Sequence, residues 1–319
     1  MIRHYNIPVF VPHKGCPNDC VFCNQKKITG QQADKNFEET ERIIEETLST
    51  MERPYFAEIA FFGGSFTGIP MEIQKGYLEI AKRYVDSGRV DGIRLSTRPD
   101  YISAEILDML KSYGVTAVEL GAQSMDDRVL FKNRRGHTAE MTKNAVKLLK
   151  EYGFETGLQM MTGMYGSDSE KDLFTGEEIA KLCPDTVRIY PTIVLGDTEL
   201  ENLYKSGQYL PPELDESVEV CAKLHKLFEE KGIKVIRTGL QSTDIICEKG
   251  LIVAGAYHSA FGELVKSRIM RDDIERRVGQ GGKVIIVPVN KVSVAIGQKR
   301  CNIRYIKEKY GIDIEVKGI

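Results

Sequence analysis

The chain has 319 residues, 42% hydrophobic and 28% charged, with 44 Lys and Arg against 46 Asp and Glu. That balance excludes a polyanion binder acting through global charge, and the length holds one large domain and a smaller one. No apolar run approaches the roughly 18 residues of a membrane span, and the first residues carry no signal-peptide core, so a cytoplasmic protein without a membrane partner is expected. In chain order, residues 7–11 read as a strand and lead directly into Cys16-Pro17-Asn18-Asp19-Cys20-Val21-Phe22-Cys23. A helix is predicted over 37–51, then a strand over 57–62 ending in Gly63-Gly64-Ser65. Helix 71–85 follows, and strand 92–97 ends in Arg98-Pro99-Asp100. Ser103 caps the next helix with Glu105 in its first turn. Strand 115–120 ends in Gly121-Ala122-Gln123-Ser124, helix 139–152 in turn precedes strand 156–161, and helix 169–182 precedes a sixth strand over 186–190 that Pro191 stops.

Six alternations of strand and helix predict an α/β fold with parallel strands and crossover helices. Ligands of such folds bind at the carboxyl ends of the strands, so the glycines and polar residues ending each strand are expected to meet the cysteine loop at one mouth. After Pro191 the pattern loosens. A helix is predicted over 213–231, a further strand over 234–237, and an apolar turn, Gly255-Ala256-Tyr257-His258, before a helix reaching 270. Gly279-Gln280-Gly281-Gly282 reads as a linker, followed by strand 283–287, helix 302–310 and strand 312–316. The expected division is 1–195, 196–278 and 283–319.

The chain has seven cysteines, three of them spaced C-x3-C-x2-C within eight residues. Thiolates are soft ligands, and this crowding fits a metal site in a reducing compartment better than a disulfide framework. A [4Fe–4S] cluster held by protein alone takes four thiolates; three leave one iron open to a ligand that is not protein. The competing reading is structural zinc with His13 as fourth ligand, which makes the chain a zinc-binding RNA module without catalysis. Cys183, Cys221, Cys247 and Cys301 lack ligand spacing and are expected as small buried hydrophobes. Glu119 lies on an apolar strand, where a carboxylate needs a partner; it is expected to face the site or an arginine such as Arg94. With Tyr190 at the end of the sixth strand and His258 beside Gly255 and Tyr257, it forms the set of candidate catalytic residues.

Cys16-x3-Cys20-x-Phe22-Cys23 resembles the signature of radical S-adenosylmethionine (radical SAM) enzymes. The resemblance extends from strand one to strand six and is greatest to the branch holding the Elongator catalytic subunit and oxygen-independent coproporphyrinogen oxidases. It is carried by Phe62-Gly63-Gly64-Ser65-Phe66, Ser96-Thr97-Arg98-Pro99-Asp100-Tyr101, Glu119-Leu120-Gly121-Ala122-Gln123-Ser124, Arg135-Gly136-His137-Thr138 and Ile189-Tyr190-Pro191-Thr192. The resemblance implies a partial parallel (β/α)6 barrel. In it, Cys16, Cys20 and Cys23 hold a [4Fe–4S] cluster whose open iron chelates S-adenosylmethionine (AdoMet). One-electron reduction, from a donor such as flavodoxin or ferredoxin, then yields a 5′-deoxyadenosyl radical that removes hydrogen from an organic substrate.

The AdoMet contacts implied in this way are Phe22, Gly63, Gly64, Ser65, Ser96, Gln123, Arg135 and Gln159. Ser65, Ser96 and Gln159 depart from the Glu, Thr or Asp that relatives often carry at those places. The tail, Val292 to Arg304, resembles the core of KH modules, in which a G-x-x-G loop clamps nucleic-acid backbone. Only Gly297 is present and Arg300 replaces the second glycine; Lys299, Arg300, Arg304 and Lys307 are the candidate phosphate contacts, and a purely structural α/β appendage is the favoured reading. As a whole the chain, a compact Elongator-like barrel without an acetyltransferase domain, looks most like clostridial queuine lyases. The implied substrate is thus queuine, in queuosine salvage, with tRNA modification of the Elongator-like type as the alternative.

Overall fold

The computed structural model describes residues 3–11, 20–24, 37–240 and 251–319; Cys16, His13 and Cys247 lie outside them. Seven parallel strands form one sheet in the order β1 (Arg3–Val11), β2 (Tyr55–Gly63), β3 (Gly92–Thr97), β4 (Val115–Gln123), β5 (Glu155–Thr162), β6 (Thr186–Pro191) and β8 (Lys234–Thr238). Helices α1 (Phe37–Ser49), α2 (Met71–Asp86), α3 (Ala104–Ser112), α4 (Asp127–Lys132), α5 (Ala139–Glu151) and α6 (Ser169–Lys181) follow in the crossovers. Past β6 come β7 (Ile193–Leu195), α7 (Glu199–Lys205), α8 (Leu214–Glu230), β9 (Ile252–Gly255), α9 (Phe261–Gly279), β10 (Val284–Val287), α10 (Val292–Ile296), α11 (Cys301–Tyr310) and β11 (Glu315–Gly318).

Alternation along the strands sets the two faces of the sheet. Ile59, Phe61, Ile93, Leu95, Val118, Leu120, Val187 and Ile189 are fully buried against the helix layer, whose Leu78, Leu107, Leu110, Leu149 and Ile179 are equally buried. Each such side chain contributes about 1.5–3 kcal/mol on burial. The other face curls on itself. The Arg188 guanidinium on β6 lies 5.5 Å from the centroid of the Phe62 ring on β2, whereas strands four places apart in a flat sheet stand roughly 19 Å apart. The sheet is therefore a partial barrel, with β1 and β8 as its two edges. Side-chain caps start the crossover helices: Ser103 accepts from Ile106 N, Asp126 from Arg128 N, Thr138 from Met141 N and Asp168 from Lys171 N.

Several elements differ from the sequence expectation for identifiable reasons. β1 starts at Arg3, four residues before the apolar run, because β2 pairs with it in register from Arg3↔Tyr55 to Val11↔Gly63. Helices α4, α7 and α10 are too short for periodicity to register, and β7 pairs antiparallel with the distant β9. The helix expected to reach 270 runs to Gly279. Its apolar residues serve two cores, Phe261 and Val265 the barrel, Ile274 and Val278 the tail, so no single stripe marks it. In the tail, β10 and β11 pair in parallel and Ile285, Val287, Ala295, Ile303, Ile306 and Ile314 complete the second core. Among the described residues no helix is long and apolar enough to cross a membrane.

Candidate cofactor site

Residues 20–24 and the carboxyl ends of β2 to β5 enclose a cavity of about 150 Å³. The cysteine loop is held from behind. Cys23 N–H donates to Cys20 O at 2.9 Å, Val21 N–H to Asn133 O at 3.3 Å, and Leu200 N–H to Val21 O at 2.8 Å. Val21 is buried with Val194, Leu200 and Tyr209, and Phe22 packs against the same cluster. This leaves Cys20, Phe22 and Cys23 lining the cavity.

Opposite them the chain passes through conformations that only particular residues allow. Gly63 has φ +114°, and a Cβ there would lie 3.1 Å from the Val11 carbonyl oxygen, so only glycine fits. At Gly121 a Cβ would meet Gln123 Nε2 at 2.8 Å and Arg135 Nη2 at 3.4 Å; the missing side chain admits those two. Gln123 itself has φ 65° at a bulge between β4 and β5. A side chain in that left-handed region costs roughly 1–2 kcal/mol. Its Oε1 accepts from Gln159 Nε2 at 3.2 Å.

Arg135 is 7% exposed. Its Nη1 donates to Cys20 Sγ at 3.3 Å and its Nη2 to Gly121 O at 2.9 Å, while Nε has no hydrogen-bond partner among the described residues. Its own carbonyl accepts from Arg98 Nη2, and Arg98 is fixed by a bidentate pair to Asp100 at 2.9 and 2.8 Å. His137 places Nε2 3.1 Å from Ala122 O. Burial, and then the Arg135 guanidinium, push its pKa down to about 4, so at neutral pH the ring is uncharged. Nε2 then carries the proton donated to Ala122, and Nδ1 has no partner among the described residues.

Beneath the cavity the barrel interior is closed by charges. Glu119 accepts from Arg94 Nη1 at 3.1 Å and from Arg188 through both Nε and Nη2, the latter at 2.9 Å. Arg94 also donates to Glu58 at 2.7 Å and Glu155 at 3.2 Å, and Glu58 accepts from Thr116 at 2.9 Å and meets His4 at 2.8 Å. The carboxylates raise the proton affinity of both guanidiniums beyond what burial takes away, so the charges stay in place.

Most of the residues singled out from the sequence meet here. Phe22, Gly63, Gly64, Ser65, Ser96, Glu119, Gln123, Arg135 and Gln159 all line the cavity with Cys20 and Cys23. Two of them have hydroxyls spent within the protein: Ser65 Oγ bonds Thr97 Oγ1 at 2.8 Å and Arg98 N at 3.3 Å, and Ser96 Oγ donates to Phe61 O at 3.5 Å. Glu119 has the Arg94 pairing expected of it, with Arg188 as a second partner. Tyr190 and His258 stand outside the lining. Tyr190 sits beside Met161 in the sheet, and His258 Nδ1 accepts Ala260 N–H at 3.0 Å just before α9. Cys221 is fully buried, with its thiol pushed up to about 12 by desolvation, whereas Cys183 is exposed at a turn of φ 48°, against expectation. Thr97, Arg98, Gly121 and Arg188 were not singled out as site residues. The period-2 pattern that places Arg188 and Tyr190 on one face of β6 was the available signal for the last of these.

The donor set fits an iron–sulfur cluster with a zwitterionic nucleoside ligand: two thiols, a glycine cradle, two side-chain amides and a buried guanidinium with one nitrogen unanswered. Among the described residues no three metal-ligating side chains cluster, Cys16 of the motif lying outside them. A curled parallel sheet with a cysteine loop at the carboxyl ends of its strands is the architecture of radical SAM enzymes. The superfamily profile matches residues 10–174 and the radical SAM C-terminal domain residues 184–271; the chain belongs to the radical SAM superfamily, whose members use a [4Fe–4S] cluster and AdoMet.

Among its relatives, the tRNA uridine(34) acetyltransferase of Methanocaldococcus jannaschii is 32% identical over 228 residues, 65% of this chain and 41% of that protein. Human Elongator complex protein 3 is 33% identical over 136 residues, 42% of this chain and 25% of that protein. The chain thus spans about two-fifths of the length of the first of these. In structure, archaeal Methanocaldococcus infernus Elp3 with an N-terminal deletion superposes with a TM-score of 0.68 at 23% identity, over 98% of this chain and 69% of that one. Coproporphyrinogen III oxidase of Escherichia coli gives 0.50 at 16% identity, over 72% and 53%. Both share the fold.

Proposed function

We propose that this radical SAM enzyme acts on tRNA. The observation that carries the catalytic half is the cavity in which Cys20, Cys23 and the buried, incompletely partnered Arg135 face the glycine turns at Gly63 and Gly121. The substrate half is supported by the tRNA uridine(34) acetyltransferases among the relatives. In this reading Cys16, Cys20 and Cys23 hold the cluster, with Arg135 hydrogen-bonded to the sulfur of Cys20 and turned toward the AdoMet carboxylate. When bound, the cluster and AdoMet supply a reductively generated 5′-deoxyadenosyl radical that takes hydrogen from a C–H bond.

The protein's own contribution is placement. Gly63-Gly64 brings backbone close to the methionine end, and Gln123 with Gln159 offers amide donors and acceptors to the nucleoside end. Phe22 screens the cysteine loop from water. The neutral His137 holds the end of β4 through Ala122 without adding a second charge beside Arg135. The Glu58–Arg94–Glu119–Arg188 network keeps the floor rigid.

The test is anaerobic reconstitution with AdoMet and dithionite, and with either tRNA or free queuine. A brown, iron- and sulfide-containing protein whose 5′-deoxyadenosine output rises with tRNA is the expected result. Output that rises with queuine, with loss of queuine, replaces tRNA by the lyase reaction suggested by whole-chain resemblance. Colourless protein containing stoichiometric zinc overturns the radical reading altogether.

A further inference from the structure

At the open edge of the barrel, past β6, the end of β8 meets the start of α9 across two glycines. At Gly239, φ 86°, a Cβ would lie 2.8 Å from Phe261 Cβ, and at Gly262 one would lie 3.0 Å from Thr238 O. Without side chains at these two places, strand end and helix start close on each other, and Phe261 is buried behind them. Beside this junction lies a cavity of about 420 Å³, walled by β8, the first turn of α9 and His225 of α8. It stands two strands beyond β5 and shares no lining residue with the cavity at the cysteine loop.

The polar side of this cavity is made of groups that can donate. Arg237, Lys266, Thr238 and Ser259 line it, and among the described residues no carboxylate does. Glu263, in the first turn of α9, lines a separate groove. His225 Nδ1 stands 3.5 Å from Glu229 on α8, which is itself largely exposed. Inside the barrel the strand arginines are answered, Arg94 by three carboxylates and Arg188 by Glu119. Arg237 stands opposite Arg188 in the β6–β8 register and is half-buried, yet it has neither ion pair nor hydrogen bond among the described residues. The same holds for Lys266 Nζ, Thr238 Oγ1 and Ser259 Oγ. Nor is the helix start closed from within. Ala260 N–H goes to His258 Nδ1 and Phe261 N–H to His258 O, but Gly262 N–H has no partner among the described residues.

We infer that this cavity binds the terminal phosphate of a small phosphorylated organic molecule. Arg237 and Lys266 supply two positive charges, matching the charge of about −2 on a phosphate monoester near neutral pH. Two hydroxyls and the Gly262 N–H add neutral donors, and the positive end of the α9 dipole lies at the same wall. A carboxylate has only two oxygens to offer so many donors, and a phosphodiester brings a single charge. At about 420 Å³ the space exceeds what phosphate alone fills and lies within the range of roughly 300–1,000 Å³ for small-molecule pockets. Val235, Ile236 and Leu240 give the rest of the ligand an apolar wall. The carboxyl end of a late strand, closed by a helix start, is also where parallel α/β folds hold phosphate groups. A site of this kind is independent of the tRNA reading above.

The experiment is calorimetric titration of the full-length protein at constant ionic strength. The probes are inorganic phosphate, uridine 5′-monophosphate, uridine, and a short RNA without terminal phosphates. Saturable binding of phosphate and of the monophosphate, but not of uridine, is expected. Affinity for the monophosphate should weaken as pH falls through about 6, where its second charge is lost. In R237Q/K266Q, affinity for both phosphates should fall about tenfold or more, because two charge-assisted contacts are removed. Neither side chain is bonded to the rest of the protein, so Tm without ligand and AdoMet cleavage should both hold. Lys266→Glu, at an exposed position, repeats the test if the double variant unfolds. Wild-type protein that shows no saturable binding of inorganic phosphate overturns the site. Binding that the variants retain puts the anion elsewhere and overturns it too. Phosphate that binds where the monophosphate does not makes this a free-anion site and overturns the organic ligand. RNA diesters that bind as tightly as the monophosphate, and are lost in the variants, make it a nucleic-acid contact and likewise overturn it.

Discussion

The floor and the mouth of the barrel use the same materials to opposite ends. At the floor, Arg94 is 2% exposed and meets three carboxylates, those of Glu58, Glu119 and Glu155. At the mouth, Arg135 is nearly as buried and, among the described residues, meets a sulfur and a carbonyl but no carboxylate, with its Nε and the Nδ1 of His137 beside it unanswered there. A buried charge without a counter-ion is costly. Where one persists next to a cavity, an anionic ligand group completes it. The floor is complete by itself, whereas in the function proposed above the mouth is completed by the AdoMet carboxylate. That difference separates a structural network from a binding one more sharply than the identity of the residues does.

Arg94→Met should break the floor. Removing one partner from a buried ionic network costs about 3–5 kcal/mol, so the urea midpoint falls steeply, while AdoMet affinity of the protein that remains folded is unchanged by equilibrium dialysis. Loss of AdoMet affinity without loss of stability would erase the distinction between the two regions.

His137 tests the mouth through pH. Its proton affinity is depressed in the folded state, from an ordinary pKa of 6.5 to about 4. Its contribution is therefore fully present above pH 6.5 and lost as pH falls toward 4, amounting to about 3 kcal/mol. His137→Gln keeps an N–H for Ala122 and should flatten stability over that window. Asp172, buried in the first turn of α6 away from the mouth, accepts from Gly163 N–H at 2.7 Å and Ser167 Oγ at 2.6 Å; with its carboxyl raised by burial to about 6 from 3.8, it works in the opposite sense. Its contribution is present below 3.8 and lost as pH rises through 6, so Asp172→Asn should steepen the acid loss that His137→Gln removes. Apo-protein denaturation between pH 4 and 7 reads both.

Arg135→Gln should give the mirror image of Arg94→Met at a smaller scale. Hydrogen bonds to charged groups are worth about 1.5–3 kcal/mol, so AdoMet affinity drops about tenfold to a hundredfold. Tm holds or rises, because the variant no longer buries an unanswered charge. A Tm loss as large as that of Arg94→Met would make Arg135 part of the scaffold.

Much of the mouth was legible because its constraints are local. Gly63 and Gly64 end a strand where backbone must come close, and Cys20, Phe22 and Cys23 lie within four residues of one another, whereas Gln123 and Gln159 came from the family resemblance and Gly121 was not singled out. Arg188 was missed because its importance comes from Glu119, 69 residues away, which the curl of the sheet brings opposite it. Tyr190 and His258 were included on chemical type; neither lines the cavity, and Tyr190 shares the inner face of β6 with Arg188, to which its side chain hydrogen-bonds. In the tail, counting glycines at 297 and 300 measured a pattern, while the backbone angles at Lys299 and Arg300 depend on how α10 and α11 are pinned to α9.

The sequence by itself determined the alternation of strands and helices, the cysteine spacing and the glycine turns, because each is settled by neighbours a few residues apart through periodicity, capping and backbone sterics. Only the tertiary structure decided which buried charges are answered and which are left open, because ion pairing depends on side chains that meet only after the sheet has curled.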